Sequence, residues 1–372
     1  MKIARFIVVV AALLVACKEP GTTRAKTPDT GIQTSTAVAI GVGWGYTCAL
    51  TANGDPYCWG ADPNGGADVV RPTLVGGVKL ASLAVGQMGA CGLTSDGTAY
   101  CWGYNAQGQL GNGTTAPATS PVEVSGGLKF TSLAAGDFNT CGIVAGGAAY
   151  CWGDNGYGQL GDSSRTASRV PVVVKGGHAF TSLSLGYRAA CGVTTDNEVW
   201  CWGMGQTTED DGIPRLHPGA SGFSSITLAY ATACGLQSGG IVACWGVNGL
   251  GGLGVGPDVN WRTEPGPVAG GHTFATVAGQ WYHHCAVDAS GHAYCWGRGE
   301  HGELGTGASG TIAYTPAPVA GGLTFATVVA STDVTCGLTT GGSMYCWGWN
   351  NHGQLGDGTT TDRYTPTSVA AF

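Results

Sequence analysis

The amino-acid sequence predicts an all-β fold, a seven-bladed β-propeller of four-stranded antiparallel blades. Three observations carry this. A unit of Cys, nine residues, then Cys-Trp-Gly occurs seven times, at Cys48–Cys58, Cys91–Cys101, Cys141–Cys151, Cys191–Cys201, Cys234–Cys244, Cys285–Cys295 and Cys336–Cys346. Successive copies start 43 to 51 residues apart, the period of a propeller blade. Each copy is a run of short apolar segments separated by Gly-rich turns, the pattern of strands in a meander. The repeat overrides the two or three domains that 372 residues would otherwise suggest, because stacked copies must bury one another's faces.

The second copy shows how each strand is read. Pro72-Thr-Leu-Val75 is a short strand, D, and Gly76-Gly77 turns the chain. Leu80 to Val85 is strand A, Gly86 to Ala90 a tight loop, and Cys91 to Thr94 strand B. Ser95-Asp96-Gly97 fits a three-residue hairpin loop with Gly where the backbone needs positive φ, and Thr98 to Trp102 is strand C. The short D–A, A–B and B–C links imply antiparallel neighbours, hence a D–A–B–C meander. The C–D link is long, about 18 residues from Trp102 to Pro121, and is expected to pass between sheets. On that reading the chain begins in an A strand near Ala37 to Val42. It ends in a D strand at Pro366 to Val369, and this C-terminal strand completes the first blade and closes the ring.

The hairpin sets the cysteine chemistry. With the loop centred on Asp96, Cys91 and Cys101 face each other at about 4.5 or 5.5 Å between Cα atoms, within disulfide range. Seven local disulfides are expected, each closing a short loop worth about 2–3 kcal/mol. A zinc site wants cysteines two to four residues apart, and no pair is that close.

The fifteenth cysteine is Cys17. Lys2 and Arg5 precede an apolar run from Phe6 to Ala16, too short for a membrane-spanning helix. The run ends Leu14-Val-Ala-Cys17, which resembles the bacterial lipobox. The resemblance implies a signal peptide over residues 1–16 and a lipidated Cys17. Residues 17–36, rich in Thr and Pro, then form a flexible tether. Residues 37–372 are the propeller. Lys18 after the cysteine favours an outer membrane over an inner one in that family, on its periplasmic or its surface side. The lipid is the expected membrane attachment. A net charge of −7, with only 10% charged residues and no basic stripe, argues against nucleic acid as a partner.

Gly103-Tyr-Asn-Ala-Gln-Gly-Gln-Leu-Gly111, Gly153-Asp-Asn-Gly-Tyr-Gly-Gln-Leu-Gly161 and Gly348-Trp-Asn-Asn-His-Gly-Gln-Leu-Gly356 follow Cys-Trp in three copies. Gly249-Leu-Gly-Gly-Leu-Gly254 and Gly302-Glu-Leu-Gly305 are variants. Together with Asp-Gly and Tyr-Cys-Trp-Gly, these motifs resemble the repeat of the regulator of chromosome condensation family over residues 37–372, which implies a seven-bladed propeller. The first and fourth copies lack Gln-Leu-Gly. The His common in that family two residues before the cysteine occurs only as His283, against Tyr46, Gly89, Asn139, Ala189, Thr232 and Val334. The family's best-known activity is nucleotide exchange on a nuclear GTPase. An exported, disulfide-paired chain would not meet that partner, so the resemblance is carried over for the fold alone.

The copies differ most in the A–B loop. Four residues before the first cysteine stand Trp44, Gln87, Asp137, Tyr187, Tyr230, Trp281 and Thr332. Three before stand Gly45, Met88, Phe138, Arg188, Ala231, Tyr282 and Asp333. Strand alternation puts these loops on the face that also carries the C–D loops, with Tyr104, Asn105, Tyr157, Arg298, Glu300, His301, Trp349 and His352. Aromatic residues with scattered charge on a rigid rim compose a binding surface. The candidate partner-binding residues are Trp44, Tyr46, Asp137, Phe138, Tyr187, Arg188, Tyr230, Trp281, Tyr282 and Asp333. A secreted bacterial propeller that inhibits β-lactamases is similar in fold, and that resemblance implies the same use of such loops.

Other constellations carry less chemistry. Adjacent strand residues point to opposite faces, so His283 and His284 are not expected to share a ligand. Glu209-Asp210-Asp211 lacks the alternating oxygen ligands of a calcium loop. No nucleophile elbow or phosphate-binding loop occurs. The expected function is a non-enzymatic scaffold, monomeric and without cofactor or metal, binding a protein or glycan at the cell envelope. The alternatives are an envelope lyase or glycan-active enzyme using Asp137, Arg188, His283 and Asp333 over the central channel, and a purely structural envelope protein.

Overall fold

A computed structural model describes residues 36–204 and 212–372. The expected signal segment, Cys17, the tether up to residue 35 and Glu209-Asp210-Asp211 lie outside the described residues. The described strands form seven separate four-stranded antiparallel sheets arranged as a propeller. The first blade comprises Ala37–Val42, Tyr46–Thr51, Pro56–Gly60 and Val69–Leu74, which are its strands A, B, C and D. The second comprises Ser82–Gly86, Gly89–Leu93, Ala99–Gly103 and Ala118–Glu123. The remaining five blades repeat this order, spanning residues 130–173, 180–221, 223–267, 274–318 and 327–368. The A strands are innermost. They line a central channel of about 270 Å³ with small and aliphatic side chains such as Val42, Val85, Ala134, Leu185 and Val277.

The blade is an A–B–C–D meander, which corrects the expected D–A–B–C order. The long C–D link stays within a blade, and the short D–A link crosses to the next one. Link length misled because crossing is cheap in distance. Three strand spacings come to about 14 Å, and the seven residues from Val75 to Ala81 reach about 24 Å. The C-terminal strand Arg363–Ser368 therefore pairs with strand C of its own seventh blade, and does not complete the first. The ring is closed by packing between blades 7 and 1.

In every blade the two cysteines stand directly opposite in strands B and C, as in Cys91 opposite Cys101. All seven pairs are bridged, with Cα separations of 4.0 to 4.1 Å. The Trp after the second cysteine points to the other face of the sheet. Each blade thus shows a disulfide to the following blade and a tryptophan to the preceding one. The core is accordingly seven clusters, one per blade junction. Between blades 2 and 3, Cys91 and Cys101 pack with Leu110, Phe130 and Trp152. Between blades 7 and 1, Cys336 and Cys346 pack with Leu355 and Trp59. Seven buried disulfides fit an oxidising, exported environment.

The Gly-x-Leu-Gly turn is what joins one blade to the next. Its leucine fills the junction, and the carbonyl just before that leucine accepts a hydrogen bond from the next blade's indole. Trp152 Nε1 donates to Gln109 O at 2.9 Å, Trp202 to Gln159 O at 2.8 Å and Trp296 to Gly252 O at 3.0 Å. Trp347 donates to Glu303 O and Trp59 to Gln354 O, both at 2.9 Å, and the last of these closes the ring. Thr140, Thr335 and Thr47 donate to the same carbonyls in three junctions. Asn105, Asn155, Asn248 and Asn350 each hold the leucine amide through Oδ1. Gly111 ends its turn at φ +68°, and a Cβ there would lie 2.7 Å from Trp152 Nε1, so only glycine fits.

Two junctions follow blades without this turn. Trp102 Nε1 donates instead to the Tyr46 hydroxyl at 3.0 Å. Trp245 Nε1 is buried without a partner among the described residues, its ring against His217 at 4.8 Å.

Two outcomes test this construction. Intact mass after alkylation should show fourteen modified thiols from residues 37–372 only when the protein is first reduced. Leu160, fully buried at the junction of blades 3 and 4, should cost about 2–5 kcal/mol of unfolding free energy on substitution to Ala in a denaturant titration.

Candidate ligand-binding face

Antiparallel alternation places the A–B and C–D loops on one face, the top, and the B–C hairpins and D–A links on the other. Backbone hydrogen bonds tie the A–B loops of blades 1 and 2, 2 and 3, and 5 and 6. Trp44 N donates to Gln87 O at 3.0 Å, Gln87 N to Gly136 O at 3.2 Å, and Tyr230 N to Trp281 O at 2.7 Å. Loops bonded in this way form a stiff rim over the channel.

The residue four before each first cysteine sits on this rim, and most of these side chains gather at the channel mouth. Gln87 Nε2, in blade 2, donates to Thr332 Oγ1 in blade 7 at 3.1 Å. The Asp137 carboxyl in blade 3 lies beside Gln87 and beside the Trp281 indole, which reaches over from blade 6. Neither side chain closes a full hydrogen bond to it: Asp137 Oδ1 and Trp281 Nε1 are both buried without a partner. Burial pushes the Asp137 carboxyl up to about 7, against the weaker pull of Trp281 and Gln87. Trp281 has φ +61°, a left-handed conformation that costs an aromatic residue on the order of 1–3 kcal/mol.

Beside the mouth the aromatic residues run together. Tyr187 and Tyr230 stack at 6.2 Å between ring centroids, and Trp281 meets them at 5.3 and 5.5 Å, with 14° between its plane and that of Tyr230. Tyr282 continues the row at 5.8 Å from Tyr230. A guanidinium caps each end. Arg188 lies 4.3 Å over Tyr157 and 4.5 Å over Tyr187, and Arg298 lies 4.1 Å over Tyr282. Arg298 is held by ion pairs to Asp333 and to Glu300. Desolvation raises the Asp333 carboxyl against the pull of Arg298. Tyr230 is 52% exposed and Tyr187, Trp281 and Tyr282 are half-buried, so the row opens to solvent chiefly at Tyr230. A pocket of about 240 Å³ opens next to it, lined by Tyr187, Arg188, Met204, Leu228, Tyr230 and Val247 among others.

Two smaller groups share the face. Trp44, 43% exposed, meets Trp349 at 6.1 Å and His352 at 5.9 Å. Phe138 meets Tyr104 edge-on at 6.4 Å.

The structure thus brings Tyr187, Arg188, Tyr230, Trp281 and Tyr282 together, with Asp137 beside Trp281 and Asp333 behind Arg298. It sets Trp44 and Phe138 apart from them. Tyr46 does not stand on this rim, which corrects its expected place: it is buried in the blade 1–2 junction, where its hydroxyl takes the place of the missing turn carbonyl. Sequence reasoning left Gln87 and Thr332 out of the candidate set. The signal was there, since both occupy the variable position four before the cysteine.

Of the acid–base candidates, His283 and Asp333 both lie near Arg298. Among the described residues, no hydrogen bond or ion pair joins any two of Asp137, Arg188, His283 and Asp333. His283 and His284 are both fully buried and point opposite ways, His283 Nε2 to Thr335 Oγ1 at 2.7 Å and His284 Nε2 to Thr232 Oγ1 at 3.0 Å. Desolvation pushes both rings down to about 3, so they are neutral at physiological pH.

Comparison with known proteins accounts for the framework. The RCC1-like domain profile matches residues 64–372, and the regulator of chromosome condensation (RCC1) repeat matches residues 37–65. The chain belongs to the RCC1-like domain family. Its relatives include the ultraviolet-B receptor UVR8 of Arabidopsis thaliana, 34% identical over 90 residues, covering 24% of this chain and 20% of that one. Another is the secretion-regulating guanine nucleotide exchange factor of Mus musculus, 32% identical over 108 residues, covering 25% and 23%. The matched part spans about a fifth of these relatives' length. In three dimensions the RCC1-like propeller is similar to Prp20p of Saccharomyces cerevisiae, a protein characterised for binding Gsp1p and histones. The TM-score is 0.77 at 21% identity, over 86% of this chain and 87% of that one. The ectodomain of the Arabidopsis thaliana receptor kinase ACR4 gives 0.56 at 21%, over 91% and 100%. At these identities the likeness is one of fold.

The Asp137 carboxyl gives a signed pH test. Its folded pKa, about 7, is raised above the ordinary 3.8, so folding favours the protonated form and ionisation at higher pH costs stability. Asp137→Asn should therefore be more stable than the parent above pH 7. That advantage should shrink as pH falls and vanish near pH 4, as read by unfolding at several pH values.

Proposed function

We propose that this RCC1-like propeller is a non-enzymatic binding scaffold, a monomer that holds a protein or glycan at the bacterial cell envelope. The observation that carries the reading is the row of Tyr187, Tyr230, Trp281 and Tyr282, open to solvent at Tyr230, capped by Arg188 and Arg298, with the Tyr230 and Trp281 loops joined through their backbones. Large rigid aromatic side chains offer contact area at little conformational cost, and stacked guanidiniums add charge and hydrogen-bonding capacity. The stapled blades let such a surface meet its partner without ordering cost. The envelope location and the lipid on Cys17 rest on the sequence of residues 1–17 and on the disulfide-dense framework. In that compartment a nuclear GTPase is not a partner, and nucleotide exchange is set aside.

The test compares residues 37–372 with the double variant Tyr187→Ala/Tyr230→Ala, each immobilised and exposed to envelope extract and to a glycan array. Two truncated anchors should weaken retention of a specific species by about tenfold or more, while thermal unfolding stays close to the parent. Identical retention by both proteins would overturn the assignment.

A further inference from the structure

Five of the seven blade junctions are filled by a Gly-x-Leu-Gly turn, with Leu110, Leu160, Leu253, Leu304 and Leu355 buried against the next tryptophan. The junction of blades 1 and 2 has no such leucine, and a pocket of about 210 Å³ opens there. Trp59, Trp102, Tyr46, Val69, Leu74 and Ala118 are among its walls. That volume exceeds the ~150 Å³ of an engineered cavity that holds benzene. The pocket is open to solvent, with Val69 36% and Leu74 50% exposed, and its wall also carries the Asp62 carboxylate, which acts electrostatically on the Tyr46 hydroxyl.

Polar groups at the site match the same occupant. In the five filled junctions a backbone carbonyl of the turn takes the indole N–H. In the first junction the Tyr46 oxygen takes the Trp102 N–H, and the Tyr46 hydroxyl proton has no acceptor among the described residues. That proton is a donor available to a carbonyl arriving from outside. Asn64 Oδ1, also in the pocket wall, is buried without a partner and can accept a backbone N–H.

We infer that the blade 1–2 junction is a docking site for a partner protein's turn, which inserts a leucine-like side chain flanked by small residues and sets a backbone carbonyl on Tyr46. The chain's own five turns are the template for this occupant. Those five turns are buried in their own junctions, so none of them is the occupant, and the occupant proposed is a like turn of another protein. The site is separate from the aromatic row and goes beyond the binding surface proposed above.

The probe is a fourteen-residue peptide with the sequence of residues 104–117, which contains Gly108-Gln-Leu-Gly111. Its binding to residues 37–372 is followed by calorimetry and amide chemical shifts at peptide concentrations up to about 1 mM. Two protein variants go with it. Leu74→Asp changes an exposed wall residue. In the second, residues 61–68 are replaced by residues 104–117, a graft in register because Gly60 faces Val69 as Gly103 faces Ala118. The expected result is saturable binding that falls about tenfold when the peptide carries Leu110→Asp or the protein carries Leu74→Asp. Binding should be lost in the graft, which fills its own junction, and unchanged in Tyr230→Ala. Absence of binding, or binding that survives both Leu74→Asp and the graft, would overturn the inference. The Tyr230→Ala arm separates that outcome from a failure of the aromatic surface.

Discussion

The constraint on which the rest of this structure depends is the seating of one tryptophan per blade in the junction with the blade before. The indole is buried, so its N–H must find an acceptor inside the protein, at a cost of about 1–3 kcal/mol if it does not. The Gly-x-Leu-Gly turn meets that need with a carbonyl and fills the neighbouring space with a leucine. The disulfide on the opposite face of the same blade holds strands B and C in the register that aims the indole there, as Cys141–Cys151 does for Trp152. Ring closure needs no special device, because blade 7 offers Gln354 and Leu355 to Trp59 as every other intact blade does to its successor.

That arrangement explains where variation is tolerated. The junction residues are over-determined by packing and hydrogen bonding together. The residue four before each first cysteine packs among its neighbours on the top rim and outside the junction clusters, so the seven copies differ there without disturbing the core. The outcome is a polar group across the mouth, Gln87, Asp137 and Thr332, beside an aromatic row with arginine at both ends. Among the described residues the left-handed backbone at Trp281 is the one strained aromatic position, and it puts the indole where the two groups meet.

The blades without the turn show what it does. At the first junction Tyr46 supplies the acceptor but not the volume, and a pocket remains. After the fourth blade the Trp245 N–H has no partner at all among the described residues. Read from the sequence, Tyr46 was one more aromatic residue near a variable loop. Its burial became visible only once the missing leucine and the neighbouring tryptophan were placed in the same junction.

The sequence by itself determined the seven blades, the strand alternation within them and the cysteine pairs. All of these follow from local periodicity and from the fixed geometry of a hairpin, in which residues ten apart face each other. It also determined which face carries the variable loops, since strand direction alternates whatever the order of strands. Tertiary structure alone decided that the long link stays in its blade and the short one crosses, because chain reach permits both. It alone decided that Trp281 reaches the Asp137 carboxyl from three blades away, and that Tyr187, Tyr230, Trp281 and Tyr282 form one row while Trp44 and Phe138 stand apart. Such contacts depend on the curvature of the ring and on side-chain direction, and a repeat pattern read along the chain carries neither.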